Sequence, residues 1–143
     1  MKREHGYELA SKSDRLFASI IQSVILTLGL ILIYLLINEP ISEIWKDDIE
    51  LTDVLFAVIQ AIIIGIVFYP LFSGNLGHKI FGLKVISSET GADFNKYDEG
   101  ALREFFKTLL SYLFIPVIWI LWDKKNQNLY DKITKTYVVK KWD

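Results

Sequence analysis

Residues 122–140 read WDKKNQNLYDKITKTYVVK, and the placement of this tail decides the fold. It carries five lysines and directly follows the third apolar stretch of the chain. If every apolar stretch crossed a membrane once, the tail would lie outside the cell, whereas basic segments beside membrane spans belong in the cytoplasm. The segment before it resolves the conflict. After Arg103 and Lys107 only Thr108–Trp122 is free of charge, about 22 Å of helix against a hydrocarbon core of roughly 30 Å. Pro116 stands in the middle and removes a backbone donor, so it is expected to act as a hinge. A segment over residues 104–122 that turns back near Pro116 keeps both of its ends cytoplasmic, and backbone at membrane depth is tolerated where protein covers it. The competing reading is a third, tilted crossing eased by snorkelling of Lys107.

Working outward, the two earlier stretches are unambiguous. Leu16–Ile37 contains no charge and would form about 33 Å of helix, and Val54–Phe72 is a second run of the same kind. The chain is 52% hydrophobic yet 23% charged, with the charges excluded from these runs. That segregation marks a membrane protein, since a soluble helix scatters polar residues at its 3.6-residue period. The first run exceeds a signal-peptide core and lacks a small-x-small cleavage site, so it is read as an uncleaved span. Lys2, Arg3, Lys12 and Arg15 precede it, and the connector at residues 38–53 holds six acids against one lysine. The amino terminus is therefore expected in the cytoplasm and the connector outside. Met1–Asp14 reads as a polar lead-in, amphipathic or disordered.

The cytoplasmic segments carry two strand signals, FGLKVIS at Phe81–Ser87 and TKTYVVK at Thr134–Lys140. An isolated strand needs a partner, and these can pair only if they share one side of the membrane. Between them, residues from Asp98 onward read as a helix with Asp98 as its cap. The expected fold is thus all-α: two transmembrane helices, a proline-broken re-entrant helical hairpin and a small cytoplasmic two-stranded β cap. It forms a single domain over residues 1–143, with spans near 16–37 and 54–72 and a cytoplasmic tail at 123–143.

Three stretches resemble the RDD family of bacterial membrane proteins: DRLFASIIQ, GNLGHKIFGLKVISSETGADFN and LWDKKNQNLYDKITKTYVV. The likeness runs from about Ser13 to Val139. It implies that Arg15 is the signature arginine, Ala18 the small residue that follows it, and Asp131 the later signature aspartate, with Asp123 opening the tail motif. The first signature aspartate falls on Gln22, a departure that removes a titratable group. The resemblance implies a membrane protein for which cation–proton exchange and assembly are both open.

Arg15 has two readings, a snorkelling anchor at the mouth of the first span or a clamp on Asp131 or Asp123 of the returning tail. Gln22, Thr27 and Gln60 are the polar residues inside the spans that draw attention. Interhelical glue is the expectation for them, with Thr27 the better placed partner of Gln60. The chain has no cysteine and only two histidines, His5 and His78, and no nucleophile–base pair or metal cluster emerges from the spacing. An enzyme, a cofactor, a metal and a nucleic-acid partner are therefore not expected. The expectation is a multi-pass protein of the inner membrane that meets the lipid bilayer, with tail lysines near anionic lipids. It would pair with itself or a larger membrane protein, and the alternative is an oligomeric monovalent cation/proton antiporter.

Overall fold

In the computed structural model, residues 2–36, 40, 42 and 50–141 are described. Most of the acidic connector lies outside them. The elements run β1 (Arg3–Glu4), β2 (Tyr7–Glu8), α1 (Lys12–Leu36), α2 (Leu51–Phe72), α3 (Leu76–Ile80), β3 (Leu83–Ser87), α4 (Tyr97–Ser111), α5 (Ile115–Trp122), α6 (Leu129–Ile133) and β4 (Thr136–Lys140). Two helices, Lys12–Ile33 and Leu51–Ile80 by hydropathy, are long and apolar enough to cross a membrane. Only 12% and 22% of their apolar windows are buried against the rest of the chain. A core helix of a soluble domain would be mostly covered, and such exposed apolar length calls for a non-aqueous neighbour.

The cap is a sandwich built on two strands. β3 and β4 pair antiparallel, with Val85 opposite Val138 and Ile86 opposite Tyr137. Alternate side chains point to opposite faces. Leu83, Val85 and Val138 pack with Ala18, Tyr69 and Phe94 beneath the helices, while Ile86, Tyr137 and Val139 pack with Leu9 and Tyr7 on the far side. A valine or isoleucine buried this completely contributes roughly 1.5–3 kcal/mol. The far layer corrects the expected lead-in. Residues 3–8 form a hairpin whose turn residues His5 and Gly6 sit at φ 50 and 84, and Leu9 bridges to Val139. Two-residue hairpin turns with both central residues at positive φ match the twist of the strands, and His-Gly supplies one glycine for it.

The third apolar segment is two helices, broken earlier than Pro116 predicts. α4 ends at Ser111, the turn at 112–114 places Phe114 at φ 55, and Pro116 lies in the first turn of α5. A first-turn proline loses no intrahelical bond, so it starts this helix and does not break one. Asp98 also differs from expectation: Lys96 holds the cap position, and Asp98 and Glu99 sit in the first turn, where negative charge suits the helix dipole. α4 runs back along α2, the most extensive pairing among the described elements. A Cβ on Gly65 would stand 2.4 Å from the Gly100 carbonyl oxygen, so the two backbones touch. α5 then returns to the entry of α1, where Lys12 Nζ donates to the Leu121 carbonyl at 2.7 Å.

Candidate functional site

Where the helices meet the cap, a set of charged side chains is buried. Its centre is Asp131, in the third position of α6 and fully enclosed. One carboxylate oxygen accepts from Arg15 Nη2 and from the Asn128 backbone N–H at 2.8 Å. The other accepts from Arg103 Nη2 and, at 3.4 Å, from the Thr136 hydroxyl. One aspartate thereby ties α1, α4, α6 and β4 together. The sequence suggested a two-toothed grip by a single arginine. Instead each arginine gives Asp131 one N–H and spends others elsewhere: Arg15 on the Asn126 carbonyl, Arg103 on Thr136 Oγ1 at 3.3 Å and Tyr69 Oη at 2.6 Å. Burial pushes the Asp131 carboxyl up, but the facing Arg15 and Arg103 charges overcome it and hold the group below the usual carboxylate range.

A second carboxylate extends the lattice into the helices. Tyr69 accepts from Arg103 and donates to Glu104 Oε1 at 2.8 Å, which also takes Asn75 Nδ2 at 3.2 Å. Lys107 Nζ donates to Glu104 Oε2 at 3.3 Å. Arg103 and Glu104 escaped sequence reasoning as site residues. A signal was present for Glu104 alone: Gly100, Glu104, Lys107 and Ser111 fall at helical spacing and give α4 a small and polar face.

The family model that matches is described as the RDD family, over residues 9–135. The chain belongs to the RDD family. Among curated proteins and among solved structures, nothing matches. Family membership and two exposed apolar helices together point to a membrane protein. Of the positions carried by the RDD resemblance, Arg15 and Asp131 meet in this site, whereas Ala18, Gln22 and Asp123 make contacts of their own. Arg15 meets Asp131 and not Asp123, whose carboxylate pairs with Lys132 at 2.5 Å and accepts from the Lys125 and Gln127 backbone N–H groups. Ala18 is buried where α3 lies on the α1 backbone: a Cβ on Gly77 would come within 2.0 Å of the Ala18 carbonyl oxygen, so position 77 has no room for a side chain.

Gln22, at the position of the first RDD aspartate, accepts the Gly77 N–H at 3.1 Å and so caps α3 from a neighbouring helix. A carboxylate could accept that bond equally well. The amide has a half left over: its Nε2 is buried and has no partner among the described residues. The expected Thr27–Gln60 bond is not formed among the described residues. Gln60 lines a cavity between the helices, whereas Thr27 lies in a groove on the face of α1 with Ser19 and Ser23. The tail lysines mostly serve the chain's own acids. Lys125 meets Glu4, Lys132 meets Asp123, Lys135 meets Glu89 and Lys140 meets Glu8.

The cavity that Gln60 lines has a volume of 840 Å³, lies between α1, α2, α4 and α5 and is partly open. Its floor is the upper side of the charge lattice, with Arg15, Gln22, Glu104 and Lys107, and its walls are apolar, with Leu26, Ala57, Ile64 and Ile120.

Proposed function

We propose that this RDD protein is a small non-enzymatic, multi-pass component of the cytoplasmic membrane that works by assembly, with itself or with a larger membrane protein. The closed lattice around Asp131 carries the reading. Its charges are engaged with one another and with nearby hydroxyl and backbone groups, an arrangement suited to orientation and not to turnover. It holds the cap rigidly under helices whose outer faces, among them Leu28, Leu32 and Leu36, are apolar and exposed. Between helices in lipid, association comes from close packing and polar bonds, so a rigid, oriented surface is what an assembly module has to offer.

Both termini are cytoplasmic in this reading. Leu9 bridges to Val139 and Lys12 meets Leu121, so the amino-terminal segment and the tail share one side of any membrane. The Lys/Arg excess makes that side the cytoplasm. The turn at 112–114 and the return of α5 support a hairpin that enters and leaves through one face. Single cysteines at Glu4, Glu50 and Lys141 test it with an impermeant thiol reagent on intact cells. Glu50 alone is expected to label; labelling at Lys141 removes the hairpin.

Cation/proton exchange has one observation in its favour, because Glu104 is a buried carboxylate beside the cavity. Against it stands charge. Arg15, Arg103 and Lys107 outweigh Asp131 and Glu104 in the same lattice, and a surplus of positive charge repels a cation. Exchange in vesicles of the purified protein decides between the two, since a particle heavier than one chain fits both. Assembly predicts copies or a partner held through mild detergent and no exchange of sodium or potassium for protons. Exchange that is lost in Glu104→Gln overturns it.

A further inference from the structure

We propose that the interhelical cavity binds an anionic amphiphile, a molecule with a carboxylate or phosphate head on an aliphatic chain. Size comes first: 840 Å³ falls within the roughly 300–1,000 Å³ of ligand pockets. Chemistry is divided within it. The walls from Leu26, Ala57, Ile64 and Ile120 suit a hydrocarbon chain, and the charged groups Lys12, Arg15, Glu104 and Lys107 also line it.

The floor needs an acceptor. Gln22 Nε2 is a buried donor with no partner among the described residues, on a residue that lines the cavity and is only 3% exposed. Leaving such a donor empty is costly, so an acceptor belongs beside it. Two acceptors of the lining are already engaged. Glu104 receives Tyr69, Asn75 and Lys107, and the Gln22 oxygen receives the Gly77 N–H. Lys12 and Lys107 add positive charge to the lining. The free Gln22 donor, with lysine and arginine outnumbering carboxylate in the lining, selects an anion, and the apolar walls select its tail. A monovalent cation would meet an unfavourable field there. This site is separate from the tail lysines, four of which are paired with the chain's own acids.

The experiment is native mass spectrometry of the full chain in a neutral maltoside detergent. Phosphatidylglycerol, oleate, phosphatidylcholine and inorganic phosphate are added separately. Retention of phosphatidylglycerol or of oleate is expected, at about fivefold over phosphatidylcholine for the charge of Lys12, since Lys107 is paired with Glu104. Phosphatidylglycerol alone identifies a phosphate-headed lipid, and oleate alone a carboxylate. Equal retention of phosphatidylcholine, or binding of inorganic phosphate without an amphiphile, overturns the proposal. Ala57→Phe, which fills the cavity from α2, is expected to abolish retention, and Ser111→Phe does the same from α4 if the first variant does not fold. Undiminished retention in a folded, filled variant places the lipid on the outer surface and also overturns it.

Discussion

The two ends of α1 differ in kind. Its outer half exposes Leu28, Leu32, Ile33, Leu35 and Leu36 and makes few contacts with the rest of the chain, whereas its first three turns bury Arg15, Ala18 and Gln22. α2 repeats the pattern, with Leu51, Leu55 and Phe56 exposed at one end and Gly65 and Tyr69 enclosed at the other. In the proposed membrane setting these exposed halves would meet a solvent as apolar as themselves, so burial there would gain little. The inner ends are organised by groups that could not be left unpaired. Composition is therefore enough for the outer region, while the inner region demands particular residues.

The sharpest test removes Arg103. Breaking a buried ion pair leaves a charge without its partner and costs about 3–5 kcal/mol, so Arg103→Ala should produce the largest fall in thermal stability in detergent. A loss as small as that of a lipid-facing leucine would end the distinction between the two regions. Next comes the contact between α2 and α4. A Cβ at Gly100 would stand 2.5 Å from the Tyr69 ring, so Gly100→Ala should cost about 1–3 kcal/mol. The unfolding midpoint in denaturant checks it.

Arg15 and Asp131 come third. Arg15→Lys keeps the charge but loses the fork that reaches Asn126 and Asp131 together, so it should destabilise, and its effect should not add to that of Asp131→Asn. A coupling of about 1 kcal/mol in the double-mutant cycle is expected, and additive losses would reduce Arg15 to a surface anchor. Asp131 also adds a dependence on pH. Its folded carboxyl is more acidic than the unfolded value of about 3.9, so its stabilisation is complete above that value. It is lost as pH falls further through the folded value. The gap in melting temperature between the parent and Asp131→Asn should hold from pH 7 to about pH 4 and shrink below. The smallest effect belongs outside: Leu32→Ala should stay within about 0.5 kcal/mol.

How much of this was legible follows the same division. The two long apolar helices, the pairing of FGLKVIS with TKTYVVK and the likeness to the RDD family could be read from the chain, because hydropathy and strand signals are local. The Arg15–Asp131 contact could be proposed, though not told from Arg15–Asp123, because both aspartates follow the same apolar segment. Arg103 and Glu104 were out of reach as a pair, since their roles depend on α4 lying against α2. The hairpin at residues 3–8 was missed because its strands are two residues long and find their cover only in β4. Pro116 misled by a few residues: a proline marks a boundary without saying on which side the helix ends.

The bond between Arg15 and Asp131 also spans time. Its partners are separated by 116 positions in the chain. At roughly 5–20 residues per second, Arg15 leaves the ribosome on the order of ten seconds before Asp131 does. Through that interval the first helix is already available for insertion while its guanidinium and the Gln22 amide lack the groups that will enclose them. β4 emerges after all of these elements and is the strand on which the amino-terminal hairpin must wait. A chain stopped before residue 129 would hold both long apolar helices and still lack Asp131 and β4, so the arrival of residues 129–140 is what allows the cap to close.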